Sequence, residues 1–179
     1  DLEEIAKKMC AKGKGILAAD ESTGTMDKRL KSVGVESIEK NRLHFRDTLF
    51  TSDAMNNYIG GVILFDETIR QKSSTGISIP ALIEKNNSVV GIKVDKGAKQ
   101  LAGSPGETVT EGLDGLRERL NEYYKLGARF TKWRAVYNIE GKYPSAQSIK
   151  SNAHALARDA AMVQEANRVP IVEPEVLMN

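Results

Sequence analysis

Cysteine and histidine are scarce in this 179-residue sequence, which contains one cysteine and two histidines. A single cysteine excludes an internal disulfide and a zinc site built on a cysteine cluster, and it is typical of a reducing compartment. We expect Cys10 to be a small core residue. His44 and His154 lie far apart on segments predicted to be outer helices, so the sequence gives no support to a zinc-dependent enzyme or to any metal site.

Long apolar runs and an excess of charge of one sign are also missing. No run approaches the ~20 residues that a transmembrane helix needs, and the charged, amphipathic residues 1–8 differ from a signal peptide. Twenty-six Lys and Arg residues face 24 Asp and Glu residues, for a formal net charge of +2. This balance gives no argument for nucleic-acid binding. We therefore expect a cytoplasmic protein without nucleic-acid or membrane partners.

The composition is that of a globular chain, with 40% hydrophobic and 28% charged residues. No repeat, low-complexity segment or linker divides it, so residues 1–179 are interpreted as one domain or part of a larger one. Short apolar segments, most of them opened by Gly or Pro, predict five buried strands. These are residues 15–20, 61–65, 91–95, 130–136 and 170–176. Residues 37–50, 80–85, 111–126 and 145–168 have helical patterns, and 97–110 are predicted to form the longest loop.

The alternation of strand and helix predicts a parallel sheet covered by helices. Strand starts recur roughly every 30 to 46 residues, which fits successive βα units of a (β/α)₈ barrel. A doubly wound sheet is the alternative, but its usual glycine fingerprint is missing. The two glycines at 13 and 15 precede a strand and do not form a phosphate-binding loop between strand and helix.

Charged residues recur on one face of four predicted strands, mostly near the carboxyl end. Because alternate residues of a strand point to opposite sides, Lys132 and Arg134 share one face and Trp133 lies on the other. Such charges are costly inside a parallel sheet unless they face one another or a ligand. In a barrel they would meet at the active-site end. The residues gathered in this way are Asp20, Lys93, Asp95, Lys132, Arg134, Glu173 and Glu175.

This set admits a catalytic and a structural interpretation. Two lysines and an arginine are suited to holding phosphate or a carbanion-like intermediate, and carboxylates between them are suited to proton transfer. The hydroxyls after Asp20 could donate to a phosphate. Alternatively, Lys132 and Arg134 pair with Glu173 and Glu175 in a structural ion network, and Asp20 with Ser22 only caps a turn.

Four segments of the chain resemble class I fructose-bisphosphate aldolase. They are GKGILAADESTG at 13–24, GIKVDKG at 91–97, KWR at 132–134 and PIVEPE at 170–175, and GLDGL at 112–116 and Asn41-Arg42 fit as well. The resemblance runs in order over essentially the whole chain. It implies a (β/α)₈ barrel, of which this chain holds about the first five strands. It also implies reversible cleavage of fructose 1,6-bisphosphate to dihydroxyacetone phosphate and glyceraldehyde 3-phosphate, without metal or cofactor, through a lysine Schiff base.

The resemblance also implies roles for single residues. Asp20 matches the aspartate that helps to deprotonate the C4 hydroxyl, and Glu173 the general acid/base that dehydrates the carbinolamine. Glu175 matches its partner carboxylate, and Lys132 the lysine beside the Schiff-base amine, where a cation lowers the pKa of the nucleophile. The expected substrate and phosphate contacts are Ser22, Thr25, Arg29, Lys93 and Arg134.

Three departures from the family pattern are visible. Thr25 replaces a serine but keeps the hydroxyl, and Asp66 stands where many animal members have histidine, which favours another branch, with a bacterial one as the candidate. The Schiff-base lysine is expected on a sixth strand, beyond residue 179. Residues 1–179 alone are therefore expected to be inactive, with strands one and five left as raw edges.

Two alternatives stay open at this point. One is a Schiff-base barrel aldolase for another phosphosugar, and the other is a non-catalytic polypeptide. Fold analogy further implies a homo-oligomer, with a tetramer as the expectation.

Overall fold

The computed structural model describes residues 1–178. They form two compact units, and the chain passes from one to the other more than once. The first unit consists of Asp1–Lys93 with Tyr123–Phe130, and the second consists of Val94–Glu122 with the residues from 131 onward.

The first unit contains three parallel strands with β2 in the middle. The strands are β1 (Gly15–Ala19), β2 (Ile59–Leu64) and β3 (Val89–Lys93). The helices are α1 (Leu2–Met9), α2 (Thr23–Ser32), α3 (Glu39–Phe50), α4 (Ala54–Tyr58), α5 (Asp66–Ile69) and α6 (Ile79–Lys85). Helix α6 begins at a local signal, because the Ser78 hydroxyl accepts from the Ala81 amide and a proline occupies the first turn.

Two strand glycines of the first unit make room for an aromatic ring. An added Cβ at Gly91 would lie 2.2 Å from Cζ of Phe130, and one at Gly61 would lie 3.1 Å from its Cε1. Phe130 itself is fully buried. These two glycines are therefore needed because the ring packs directly on the backbone of β2 and β3.

The second unit contains a small antiparallel ribbon and two longer strands that are hydrogen-bonded neighbours. The ribbon is formed by β4 (Ala98–Gln100) and β5 (Thr108–Thr110), and the longer strands are β6 (Phe130–Tyr137) and β7 (Val169–Val176). The helices are α7 (Leu116–Lys125), which runs on into the first unit, and α8 (Ala146–Glu165). The Ser145 side chain caps α8 by accepting from the Ser148 amide at 3.1 Å.

All five predicted strands and all four predicted helices are present, with ends displaced by a few residues. Four helices, α1, α2, α4 and α5, were not predicted, because they are short or carry no strong apolar stripe. The segment 97–110 is not simply a loop, since it holds the β4–β5 ribbon. The expectation that Cys10 is a core residue is also wrong, because this side chain is exposed.

The apolar pattern of residues 145–168 places Ile149, Ala153, Leu156, Ala160 and Val163 on one face of α8. Leu156 and Val163 are buried, but Ile149 and Ala153 are exposed. The buried residues of this helix are Ser148, Asn152, Ala155, Leu156, Asp159 and Val163. The physical reason lies in the ribbon: the Asn152 amide donates to the Thr108 carbonyl at 2.9 Å, and its oxygen accepts from the Thr110 amide at 3.1 Å. A polar face therefore satisfies the backbone of β5.

Candidate active site

The predicted site residues fall into two groups, one in each unit. In the first unit, Asp20 directly follows β1 and is buried. The Ser22 side chain caps α2 by accepting from the Thr25 amide, and the two hydroxyl oxygens lie 3.2 Å apart. Ser22 therefore caps an unpredicted helix, and this capping places both hydroxyls at the start of that helix.

Arg29 lies further along α2 and is paired with a carboxylate. Its Nη1 atom lies 3.0 Å from Oε2 of Glu21, and the Arg29 side chain is more than half exposed whereas Glu21 is nearly buried. Glu21 is a residue that the sequence analysis missed. Glu21 forms an ion pair with Arg29, which the resemblance assigns to substrate binding.

Arg46 is a second missed residue and supports the segment after β1 from inside the first unit. It is fully buried, its Nη2 atom donates to the Glu21 carbonyl, and its guanidinium lies 5.8 Å from the centre of the Phe65 ring. Burial lowers the pKa of Arg46, partly opposed by the carboxylates of Glu21, Glu67 and Asp20. An arginine within a helical pattern gives no sequence signal of such burial.

Lys93 is the last residue of β3 and is half-buried. Because β1, β2 and β3 run parallel, Lys93 and Asp20 emerge at the same edge of the sheet with one strand between them. The first unit thus brings Asp20 and Lys93 to one edge of its sheet, and Ser22 and Thr25 lie at the start of the helix that follows Asp20.

The second unit brings the other four residues together in alternating ion pairs. Lys132 Nζ lies 3.5 Å from Glu173 Oε1, and Arg134 Nε lies 3.9 Å from the same oxygen. Arg134 Nε also pairs closely with Oε2 of Glu175. Lys132 is nearly buried, whereas Glu173, Arg134 and Glu175 are each between a third and a half exposed. Trp133 faces the other way and is fully buried, as its alternate position predicts.

The electrostatics of this set follow from the pairing. The hydrogen bond from Arg134 holds the pKa of the Glu175 carboxyl below its usual range, and Glu175 raises the pKa of Arg134. Glu175 is therefore a fixed anion near neutral pH. Glu173 lies between the ammonium of Lys132 and the guanidinium of Arg134, where a carboxyl group can exchange protons with a bound molecule while its charge is balanced.

Asp95, just after β3, fixes the backbone of this set. Its Oδ1 accepts from the Gly97 amide at 3.0 Å and its Oδ2 accepts from the Arg134 amide at 3.1 Å. One residue earlier, the Val94 amide donates to the Lys132 carbonyl at 3.0 Å. The carboxylate thus holds the part of β6 that carries Lys132 and Arg134.

The sequence profile of the family described as Fructose-bisphosphate aldolase class-I matches residues 1–179. The chain belongs to this family. A probable fructose-bisphosphate aldolase class 1 of Xylella fastidiosa is 58% identical over 178 residues, covering 99% of this chain and 53% of that protein. The cytoplasmic isozyme 1 of Pisum sativum is 54% identical over 177 residues, covering 99% and 50%.

A solved aldolase structure confirms the fold. Fructose-bisphosphate aldolase from Plasmodium falciparum, determined in complex with TRAP and a small-molecule inhibitor, matches with a TM-score of 0.94 and 46% identity over 97% of this chain and 51% of that one. The predicted architecture, the first strands and helices of a (β/α)₈ barrel, is therefore correct. The chain spans about half the length of these relatives.

None of the helices between residues 1 and 178 has the length and apolar character that a bilayer crossing requires.

Proposed function

We propose that the protein containing this chain is a class I aldolase that reversibly cleaves fructose 1,6-bisphosphate to dihydroxyacetone phosphate and glyceraldehyde 3-phosphate. The observation that carries the proposal is the placement of Lys132 against Glu173, at 3.5 Å, on neighbouring strands of a chain that belongs to this family over its whole length. A buried ammonium beside a proton-exchanging carboxyl group is the environment that Schiff-base chemistry needs.

The reaction itself needs an amine that attacks the C2 ketone. Loss of water from the resulting carbinolamine gives an iminium ion, and the C3–C4 bond then breaks as its electron pair moves into the iminium to form an enamine. The C4 hydroxyl loses its proton, which releases glyceraldehyde 3-phosphate. Protonation of the enamine at C3 and hydrolysis then release dihydroxyacetone phosphate and restore the amine.

The residues of the second unit fit the proton steps of this sequence. Glu173 serves as the acid that protonates the departing carbinolamine hydroxyl and as the base in the reverse direction. Lys132 keeps a positive charge next to the reacting amine, and Glu175 fixes Arg134. The reacting lysine is proposed to lie on a sixth strand, outside these 179 residues.

The residues of the first unit fit binding and the C4 proton. Asp20, buried at the end of β1, accepts the C4 hydroxyl proton. Ser22 and Thr25 offer hydroxyls at the start of α2, and Arg29 and Lys93 supply positive charge for phosphate.

Borohydride trapping tests the proposal on the full-length protein. Incubation with fructose 1,6-bisphosphate and borohydride should reduce the iminium to a stable secondary amine on one lysine outside residues 1–179, located by peptide mass mapping. Absence of an adduct, or an adduct on Lys93 or Lys132, would overturn these assignments.

A substrate panel separates this activity from that of another phosphosugar aldolase. Cleavage rates are compared for fructose 1,6-bisphosphate, fructose 1-phosphate, tagatose bisphosphate and unphosphorylated fructose. The proposal expects the first to be preferred, and an equal rate with the unphosphorylated sugar would contradict it.

We also propose that the protein is cytoplasmic and a homo-oligomer, with a tetramer as the expected state, and that residues 1–179 are the N-terminal portion of one barrel domain. A cytoplasmic isozyme among the relatives supports the location. Light scattering after size-exclusion chromatography of the full-length protein tests the oligomeric state.

A further inference from the structure

Two side chains of the second unit, Asp95 and Arg119, hold backbone groups beside its ion pairs, and the proposed reaction does not use them. Arg119, on α7, donates from Nη1 to the Val94 carbonyl at 2.8 Å and from Nη2 to the Gly112 carbonyl. These contacts clamp the backbone on one side of Asp95. Asp95 is itself buried and holds the Arg134 amide on its other side.

We propose that Asp95 is a positioning residue that fixes the β6 backbone so that Lys132 and Arg134 face Glu173 and Glu175. Asp95 acts through the backbone amide of Arg134 and through no direct contact with the reacting atoms. The catalytic consequence rests on the proposed aldolase function, but the positioning of β6 does not.

The test uses the full-length protein with Asp95→Asn, Asp95→Glu and, as a matched control, Asp53→Asn. Asp53 is exposed and makes no capping hydrogen bond, so its variant should behave like the parent. An asparagine at 95 keeps one acceptor but directs an NH₂ group at the second N–H. Two readouts are taken: amide hydrogen exchange of Arg134, corrected for the intrinsic rate, and steady-state cleavage of fructose 1,6-bisphosphate.

In Asp95→Asn, we expect protection of the Arg134 amide to fall about tenfold or more, as for loss of a hydrogen bond to a charged acceptor. We expect kcat to fall by a similar factor while KM changes less than about threefold, since positioning of the reacting groups and not substrate binding is altered. Asp95→Glu keeps a charged acceptor but displaces it by one methylene group, so its Arg134 protection should also fall below that of the parent. Asp53→Asn should match the parent in both readouts.

The two readouts separate the two hypotheses. Unchanged Arg134 protection in Asp95→Asn overturns the positioning role. If the parent does not cleave the sugar, the proposed function fails, and the exchange data still decide the role of Asp95. If Asp95→Asn does not fold, Asp95→Glu gives the decision, and unchanged Arg134 protection there overturns the role.

Discussion

At the scale of single residues, Gly91 has the sharpest steric requirement. A Cβ there would lie between 2.2 and 2.5 Å from three carbons of the Phe130 ring, and Gly91 sits inside β3. We expect Gly91→Ala to destabilise the full-length protein by about 1–3 kcal/mol through overpacking, seen as a lower urea midpoint. Gly15→Ala is the control, since nothing lies within 4 Å of its added Cβ. If adding Phe130→Leu to Gly91→Ala does not recover part of the lost stability, steric overlap is not the cause.

Asp159 gives a second prediction at this scale, in which removal of a charge is stabilising. Burial, with the charge of Asp95, raises the pKa of Asp159 from 3.8 to about 7. The folded state therefore binds more protons than the unfolded state between those values, and stability falls as pH rises from about 4 to 7. Above pH 7, ionisation of Asp159 lowers the free energy of unfolding by about 4 kcal/mol at most.

Asp159→Asn should accordingly raise the urea midpoint at pH 8. Burial of the new amide group reduces this gain, and the gain should shrink further toward pH 5. The comparison requires midpoints of parent and variant at both pH values. A gain that is equal at pH 5 and pH 8 would show that packing and not ionisation is responsible.

At the scale of elements, Asn152 joins α8 to the β4–β5 ribbon. It is fully buried and satisfies both the Thr108 carbonyl and the Thr110 amide. Asn152→Ala should leave these two backbone groups unpaired and cost about 2–4 kcal/mol in unfolding free energy. The exposed Lys150, on the same helix, supplies the control variant Lys150→Ala, expected within about 0.5 kcal/mol of the parent. Faster hydrogen exchange confined to Thr110 and its ribbon neighbours should accompany the loss.

The same element shows where sequence patterns succeed and where they fail. Strands β1, β2, β3, β6 and β7 were predicted because a short apolar run, in most cases opened by Gly or Pro, is typical of a buried strand. The apolar pattern of α8 includes the buried Leu156 and Val163 but misses Asn152, because the pattern counts apolar side chains, whereas Asn152 is buried by the backbone groups that it satisfies. The periodicity of a helix cannot predict a hydrogen-bond partner that lies 42 residues away on a short, weakly patterned ribbon.

The candidate site likewise contains residues that the sequence pattern predicts and residues that it misses. Lys132, Arg134, Glu173 and Glu175 were predicted to share a face because strand alternation fixes direction, and the structure pairs them. Arg46, Glu21 and Asp159 were missed because a charged residue on a helix or turn is usually exposed, and their burial is decided by tertiary packing.

At the scale of the whole molecule, the proposed function predicts that binding of the substrate raises the thermal stability of the protein. A ligand that binds only the folded state raises its stability by about 2.7 kcal/mol at a hundredfold excess over Kd. The positive groups Arg29, Lys93, Lys132 and Arg134 make phosphate groups the natural source of that binding energy. Full-length protein should therefore show a higher Tm with fructose 1,6-bisphosphate, a smaller shift with inorganic phosphate, and almost none with fructose. Arg29→Ala should reduce the sugar bisphosphate shift, and exposed Lys150→Ala should leave it unchanged. A shift of the same size with fructose would mean that these cations do not recognise phosphate.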